Sequence, residues 1–471
     1  MRGALLAVVV CVLAAGAALA VLAVVGGDDE PPAYGPVILD PDRPDPFAWD
    51  PEREEEFIAR ATAGHSHVLY EKSPDGVFAT ARRVERWRPE VEDVAADAGV
   101  DADVLEGMVF LESAGDPNAR AGEDLEGAVG LTQILAETAT SFLGMRVDVR
   151  ASERLTRRIR RRGPVPRLLA RRREVDERFD PQKALEAAGR YLEMAEERFG
   201  REDLAVASYH MGIGNLDNVL AAYGDDDASW AQVYFDATPR DHPGTYRLLS
   251  GFGDDSATYL WRVYAAREIM RLHREDQAEL RRLTALQIAK VSAEEVLHPR
   301  TETEIFETPE ELEEGYLAGR LRPFRGIPGL RADPQMGELA RRLDVERRLY
   351  RGLRPAAYAL AAYLSAGVRD VGATRASLIA TSTVRDLSYQ RLLARRNAFA
   401  TREYSLHTTG FALDIRRDYA TRSQAVAFEY MLDRLQSLNL LAWVREPAAI
   451  HITASGEARE LLPLLEEAQG Q

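Results

Sequence analysis

The sequence predicts a mostly α chain in three parts: an N-terminal membrane helix, an all-α domain over residues 91–275, and a C-terminal α+β domain over residues 346–471. Three observations carry this reading. Residues 4–25 form a run of 22 positions without a charge. From Val91 to Arg274, apolar residues recur at three- and four-residue spacing with few β-branched alternations, the helical period. After Leu353, β-branched segments such as residues 377–385 alternate with helical ones. Within 471 residues, 46% hydrophobic and 29% charged, there is enough apolar material for packed cores, which excludes a wholly disordered or collagen-like chain. A formal charge of −16 argues against nucleic acid as a partner.

As a helix, the uncharged run would span about 33 Å, the thickness of a bilayer core. Arg2 precedes it and Asp28, Asp29 and Glu30 follow. The expectation is a single-pass anchor over residues 1–27, with the N-terminus cytoplasmic and the bulk of the chain outside the cell membrane. The alternative is a cleaved signal peptide, with small-residue sites at Ala15–Ala17 or Ala18–Ala20, but the run exceeds the usual apolar region of about 7–15 residues. The single cysteine, Cys11, lies within this run, so no intrachain disulfide is possible. Residues 28–90, rich in Pro, Asp and Glu, read as an extracytoplasmic spacer.

In the all-α region, Asp101 or Asp103 can cap a helix whose stripe runs Leu105, Met108, Val109 and then Glu112. A carboxyl on a core-facing stripe loses hydration, which raises its pKa and keeps it protonated near neutrality, as a general acid requires. Gly115 and Pro117 end the helix, leaving Glu112 at its C-terminal mouth. Downstream, Gly127-Ala-Val-Gly130-Leu-Thr-Gln133 offers two glycines for close backbone approach and an amide able to fix a polar ligand. Ala207-Ser-Tyr209-His-Met-Gly212 then carries a phenol into a glycine-rich turn.

Together, Glu112-Ser113, Gly127 to Gln133 and Ser208 to Gly212 resemble the ordered motifs of the soluble lytic transglycosylases, which have a goose-lysozyme-like all-α fold. The resemblance covers residues 91–275. It implies a peptidoglycan lyase that cleaves the β-1,4 bond between N-acetylmuramic acid and N-acetylglucosamine, leaving a 1,6-anhydro end. In it Glu112 is the sole acid and base, Ser113 and Gln133 line the sugar cleft, Tyr209 supports the glutamate or substrate, and no cofactor is needed. His210 departs from the Asn usual after the tyrosine. The segment 146–178, with 13 Arg against 5 acids, reads as an insertion that is either a solvated face or an anion contact.

Residues 276–345 read as a charged helical connector without chemistry. Beyond it, Phe411, Leu413 and Ile415 alternate with Ala412 and Asp414, a half-buried strand that turns Asp414 away from the core. His407 on the preceding loop, Asp414 and His451 on a second alternating strand make three candidate zinc ligands, with Glu446 as a general base for the attacking water. The pattern Ser405-x-His407-x-x-Gly410-x-Ala412-x-Asp414 is similar to that of the zinc D-alanyl-D-alanine carboxypeptidases, so residues 346–471 resemble a divergent metallopeptidase-like member. The resemblance implies a zinc cofactor, stem peptides as partners, and Arg385 near the metal, polarising the substrate carbonyl. The family places its glutamate three residues before the last histidine, where Ala448 stands here. The whole chain thus reads as a membrane-anchored cell-wall enzyme acting on glycan strands and on stem peptides. The alternative is a non-enzymatic peptidoglycan-binding scaffold.

Overall fold

The computed structural model describes residues 45–468 apart from 240, 291, 397–400, 402 and 403. The expected membrane segment, Cys11 and the start of the spacer lie outside the described residues. Among the described residues no helix is long and apolar enough to cross a membrane. They form two compact units, residues 68–282 and residues 45–67 with 283–468.

Residues 51–90 correct the spacer expectation. They fold into α1 (Glu54–Gly64), α2 (His67–Lys72), α3 (Val77–Glu85) and the start of α4 (Arg88–Ala98). Their apolar positions are few but well phased: Phe57 and Ala61 on α1, and Val77, Ala81 and Val84 on α3, are buried. Helices this short leave a weak periodic signal, and packing rather than propensity holds them.

In the first unit α5 (Ala102–Ser113) is the central helix, capped by the Asp101 side chain, which accepts from the Asp103 backbone N–H. Around it lie α6 (Ala136–Ser141), α7 (Val149–Arg162), α8 (Pro166–Val175), α9 (Pro181–Phe199), α10 (Glu202–Met211), α11 (Ile213–Tyr223), α12 (Trp230–Asp236), α13 (Pro243–Gly251) and α14 (Tyr259–Glu275). Leu105, Met108 and Val109 of the predicted stripe are all buried. α14 lies against α5 at Gly107, where a Cβ would come within 2.8 Å of the Val263 carbonyl oxygen. That close approach sets the start of α14 beside the end of α5. The arginine-rich segment forms a helical hairpin, α7 packed on α8.

α15 (Gln277–Gln287) leads on to α16 (Glu294–Leu297) and α17 (Pro309–Leu317) in the second unit. Its five-stranded sheet has the order β2-β4-β5-β7-β6, from β2 (Leu330–Ala332), β4 (Leu378–Ser382), β5 (Ala412–Arg416), β6 (Leu441–Arg445) and β7 (Ala449–Ala454). β2 runs parallel to β4 and the other pairs are antiparallel. A separate ribbon joins β1 (Arg322–Pro323) to β3 (Gly352–Leu353). α18 (Pro355–Val371) packs on α20 (Arg422–Ser437), which buries Phe428, Met431, Leu432 and Leu435, and α19 (Leu387–Ala394) follows β4. The connector expectation is therefore also corrected: residues 283–345 supply the β2 strand and α16. A three-residue strand is too short to show a period of two.

Candidate functional sites

Glu112 ends the buried stripe of α5 at 8% exposure, on the wall of a cavity of about 300 Å³. The helix stops there because Ala114 and Gly115 take left-handed backbone angles. Two residues of the supposed spacer fix that stop: Arg83 Nε donates to the Ala114 carbonyl at 3.0 Å, and Trp87 Nε1 to that of Gly115 at 3.0 Å. Burial pushes the Glu112 carboxyl up to about 7, opposed by a hydrogen bond from Tyr259. The Tyr259 phenol donates to Glu112 Oε1 at 2.6 Å, the carboxyl's sole hydrogen bond among the described residues.

Tyr259 is the residue that sequence reasoning missed, and Tyr209, expected in its place, stands one layer back. The Tyr209 hydroxyl donates to the Thr132 carbonyl at 2.8 Å, while its ring stacks on Tyr259 with centroids 6.4 Å apart. His210 stacks on Tyr259 at 5.2 Å, and its Nδ1 meets Ser256 Oγ at 3.0 Å. Where the resemblance leads one to expect Asn, this histidine therefore braces the phenol. Tyr259 begins α14, some 50 residues past the tyrosine motif, and nothing local marks it.

Ser113 lines the cavity beside Glu112, with His210, Asp255, Tyr259 and Arg262. Gln133 does not line it. Its Nε2 donates to the Gly130 carbonyl at 2.8 Å, and its own backbone is left-handed. The glycine loop is instead held by Arg178, the last arginine of the cationic segment. That fully buried guanidinium pairs with Asp176 through two contacts of 3.0 Å and donates to the carbonyls of Leu125, Gly127 and Ile134. Gly130 is required here, because a Cβ would lie 1.9 Å from the Arg178 carbonyl oxygen.

The second unit gathers another cluster. β5 and β7 pair Asp414 with His451, so both side chains stand on one face of the sheet. Asp414 Oδ1 lies 3.1 Å from His407 Nε2 and 2.8 Å from His451 Nδ1. The three donor atoms sit within 4.8 Å of one another, as a single metal ion requires. The far nitrogens are held as in metal sites. His407 Nδ1 is 2.8 Å from the Thr383 carbonyl oxygen and must carry the proton, which leaves Nε2 with its lone pair. His451 Nε2 is 3.0 Å from Glu294 Oε2, a carboxylate from α16 that sequence reasoning missed. Burial and the nearby Arg385 guanidinium lower His407 to about 4, so it is neutral at pH 7. Against burial, the hydrogen bonds to Asp414 and Glu294 raise His451 to about 10, so in the metal-free protein it carries a proton that a bound metal would displace.

Burial would raise the Asp414 carboxyl, but His407 and His451 hold it well below the usual carboxylate range. Burial likewise opposes ionisation of Glu294, and His451 and Lys290 bring it down to about 2. Arg385 reaches Asp414 Oδ2 at 3.4 Å and Ser382 Oγ at 2.6 Å. Glu446 occupies the tight turn between β6 and β7, its N–H donating to the Ala449 carbonyl at 2.9 Å. Val444 pairs with His451, so Glu446, two residues on, shares the face of Asp414 and His451. Burial and the charge of Asp414 raise its carboxyl.

The first unit is thus a helical domain with one desolvated acid in a cleft, the architecture of lysozyme-like glycan-cleaving domains. Residues 91–230 match the model of the Transglycosylase SLT domain. That match supports peptidoglycan lytic transglycosylase activity and peptidoglycan as the substrate. It ends before Tyr259 and does not reach the second unit. No curated protein matches the chain.

Proposed function

We propose that the chain is a membrane-anchored cell-wall enzyme in which Glu112 alone serves as acid and base on the glycan, while the second unit holds zinc and acts on stem peptides. The observation that carries the first part is a buried carboxyl with one phenolic partner on the wall of a cleft, inside a transglycosylase domain. With a pKa of about 7, Glu112 is substantially protonated at neutral pH. It gives that proton to the glycosidic oxygen as the C1–O bond breaks. The carboxylate left behind, held by the Tyr259 hydroxyl, takes the proton of the sugar's own 6-hydroxyl as that oxygen bonds to C1 and closes the anhydro ring. No water is consumed and no second carboxylate is needed, unlike the two-carboxylate arrangement of most glycosidases.

In the second unit His407, Asp414 and His451 would hold zinc, and their donor set and far-nitrogen partners suit it. Zinc, when bound, supplies Lewis acidity toward a peptide carbonyl. Arg385 supplies positive charge beside the metal ligands for the carbonyl or carboxylate of a stem peptide. Glu446, on the same face, takes the proton of the attacking water. Glu294 fixes the His451 ring so that Nδ1 faces the ion.

Digestion of purified peptidoglycan by the full-length protein, read by mass spectrometry, tests the glycan claim. Anhydro-muropeptides are expected from the wild type, and their absence, or their persistence with Glu112→Gln, would overturn it. Stoichiometric zinc lost in His407→Ala is expected of the second unit; a wild type that binds none refutes the metal centre. Shortened stem peptides that disappear in Glu446→Gln are expected of peptidase turnover.

A further inference from the structure

The α7–α8 hairpin presents arginines in a pattern that its folding role does not use. Two of the segment's arginines are buried and structural. Arg178 holds the glycine loop, and Arg172, 3% exposed, donates to Thr156 Oγ1 at 3.2 Å and Asn118 Oδ1 at 2.6 Å, with its guanidinium 3.7 Å from the Phe179 ring centroid. These contacts order the base of the hairpin. On α7, Ser152, Leu155 and Thr156 face inward and are buried, while Arg150, Arg154, Arg157, Arg158 and Arg161 are all exposed. At 100° per residue, Arg150, Arg154, Arg157 and Arg161 fall within about 60° of one another, a single outer stripe. Arg167 and Arg171 continue the exposed cations on α8.

Few acids answer them. Among the described residues the outer arginines of this hairpin have two carboxylate contacts, Arg157 with Glu153 at 3.5 Å and Arg160 with Glu123 at 2.9 Å. Such a concentration of like charge within two packed helices costs stability through self-repulsion. At the tip, Pro164, Val165 and Pro166 are exposed between Arg162 and Arg167, with Val165 at 40%. Cations flanking an exposed apolar tip combine the two chemistries of a bilayer interface, where arginines meet anionic headgroups and an apolar side chain enters the acyl boundary. A dissolved polyanion would match the arginines and leave the tip in water.

We infer that the α7–α8 hairpin docks on an anionic phospholipid surface, with the α7 arginines on headgroup phosphates and Val165 in the interfacial layer. This contact is separate from any anchoring by residues 4–25 and independent of both catalytic readings.

The test uses the full chain, reconstituted in vesicles so that insertion of residues 4–25 is common to every sample. With Cys11→Ser and Val165→Cys, an environment-sensitive fluorophore is placed at the tip. In vesicles containing phosphatidylglycerol the emission is expected to shift to the blue and to be quenched by doxyl-labelled lipid. In purely phosphatidylcholine vesicles it should remain water-like. Arg150→Gln, Arg154→Gln, Arg157→Gln and Arg161→Gln together should remove the response, by about fivefold in affinity for each charge. The matching four lysine substitutions should retain it, which separates loss of charge from loss of fold. A label that stays water-like in both lipids, or that is quenched equally in both, overturns the inference. So does quenching that survives the four glutamines, or a label that responds to soluble polyphosphate and not to anionic lipid.

Discussion

Glu112 is buried and Asp414 nearly so, each carboxyl lies at the centre of a site, and they are driven in opposite directions. Glu112 has one neutral donor, the Tyr259 phenol, and burial raises it to about 7. Asp414 is as thoroughly desolvated, but two imidazoles and a guanidinium lie within 3.4 Å of its oxygens, and it stays an anion. The charge and number of partners, more than burial, decide whether a carboxyl is a proton donor or a ligand. The acid sits at the end of a single helix against aromatic rings, whereas the ligand is assembled from two strands, a loop and α16.

The largest effect expected from this contrast is on catalysis. Glu112→Gln keeps the shape of the cleft and removes the proton, so anhydro-muropeptide release should fall about 10²- to 10⁴-fold by mass-spectrometric assay. The same kind of neutralisation should change stability with opposite sign at the two sites. The folded-state pKa of Glu112 is raised above its ordinary 4.5, so its favourable contribution is complete below about 4.5 and is lost as pH rises through about 7. At pH 8 the neutral Glu112→Gln should therefore be more stable than wild type, by up to about 3 kcal/mol in denaturant titration. In metal-free protein Asp414→Asn should instead cost about 3–5 kcal/mol, because it leaves the largely desolvated Arg385 and protonated His451 without their anion. Both changes moving in one direction would break the comparison.

A smaller effect concerns the support of the zinc ligands. Glu294→Ala should weaken zinc binding about 10- to 100-fold in chelator competition, with anhydro-muropeptide release unchanged. Glu294→Gln, which can still accept from the imidazole N–H, should recover part of it. Unchanged affinity in the alanine variant would remove Glu294 from the centre without touching the zinc assignment itself.

The two sites also differ in how much of each was legible in the sequence. The α5 stripe, a cap at Asp101 or Asp103 and the position of Glu112 follow from a 3.6-residue period over one continuous helix. Asp414 and the strand that carries it follow from alternation over five residues. Tyr259 and Glu294, the partners that set or support the two chemistries, stand 147 and 157 residues from the side chains they touch. Such contacts are tertiary and leave no local pattern. The spacer and connector readings gave way for a related reason: α2, α3 and β2 are too short to declare a period, α1 buries only Phe57, Ala61 and Gly64, and positions such as Phe57 and Val84 emerge only from packing. Arg172 lies in the run Arg171 to Arg173 and Arg178 at the end of the same arginine-rich segment, where composition marks a charged surface and only the fold shows which guanidinium lies inside.

The most direct measurement is the pH dependence of kcat/KM for release of anhydro-muropeptides by the wild type and by Tyr259→Phe. The acid form of Glu112 begins the reaction, so the wild-type rate should fall as pH rises through about 7. Removing the phenolic hydrogen bond takes away the one group that favours the carboxylate, so in Tyr259→Phe that limb should move upward by about one unit. A limb near 4.5, or one that the tyrosine change leaves in place, would contradict the assignment of Glu112 as a desolvated acid tuned by Tyr259.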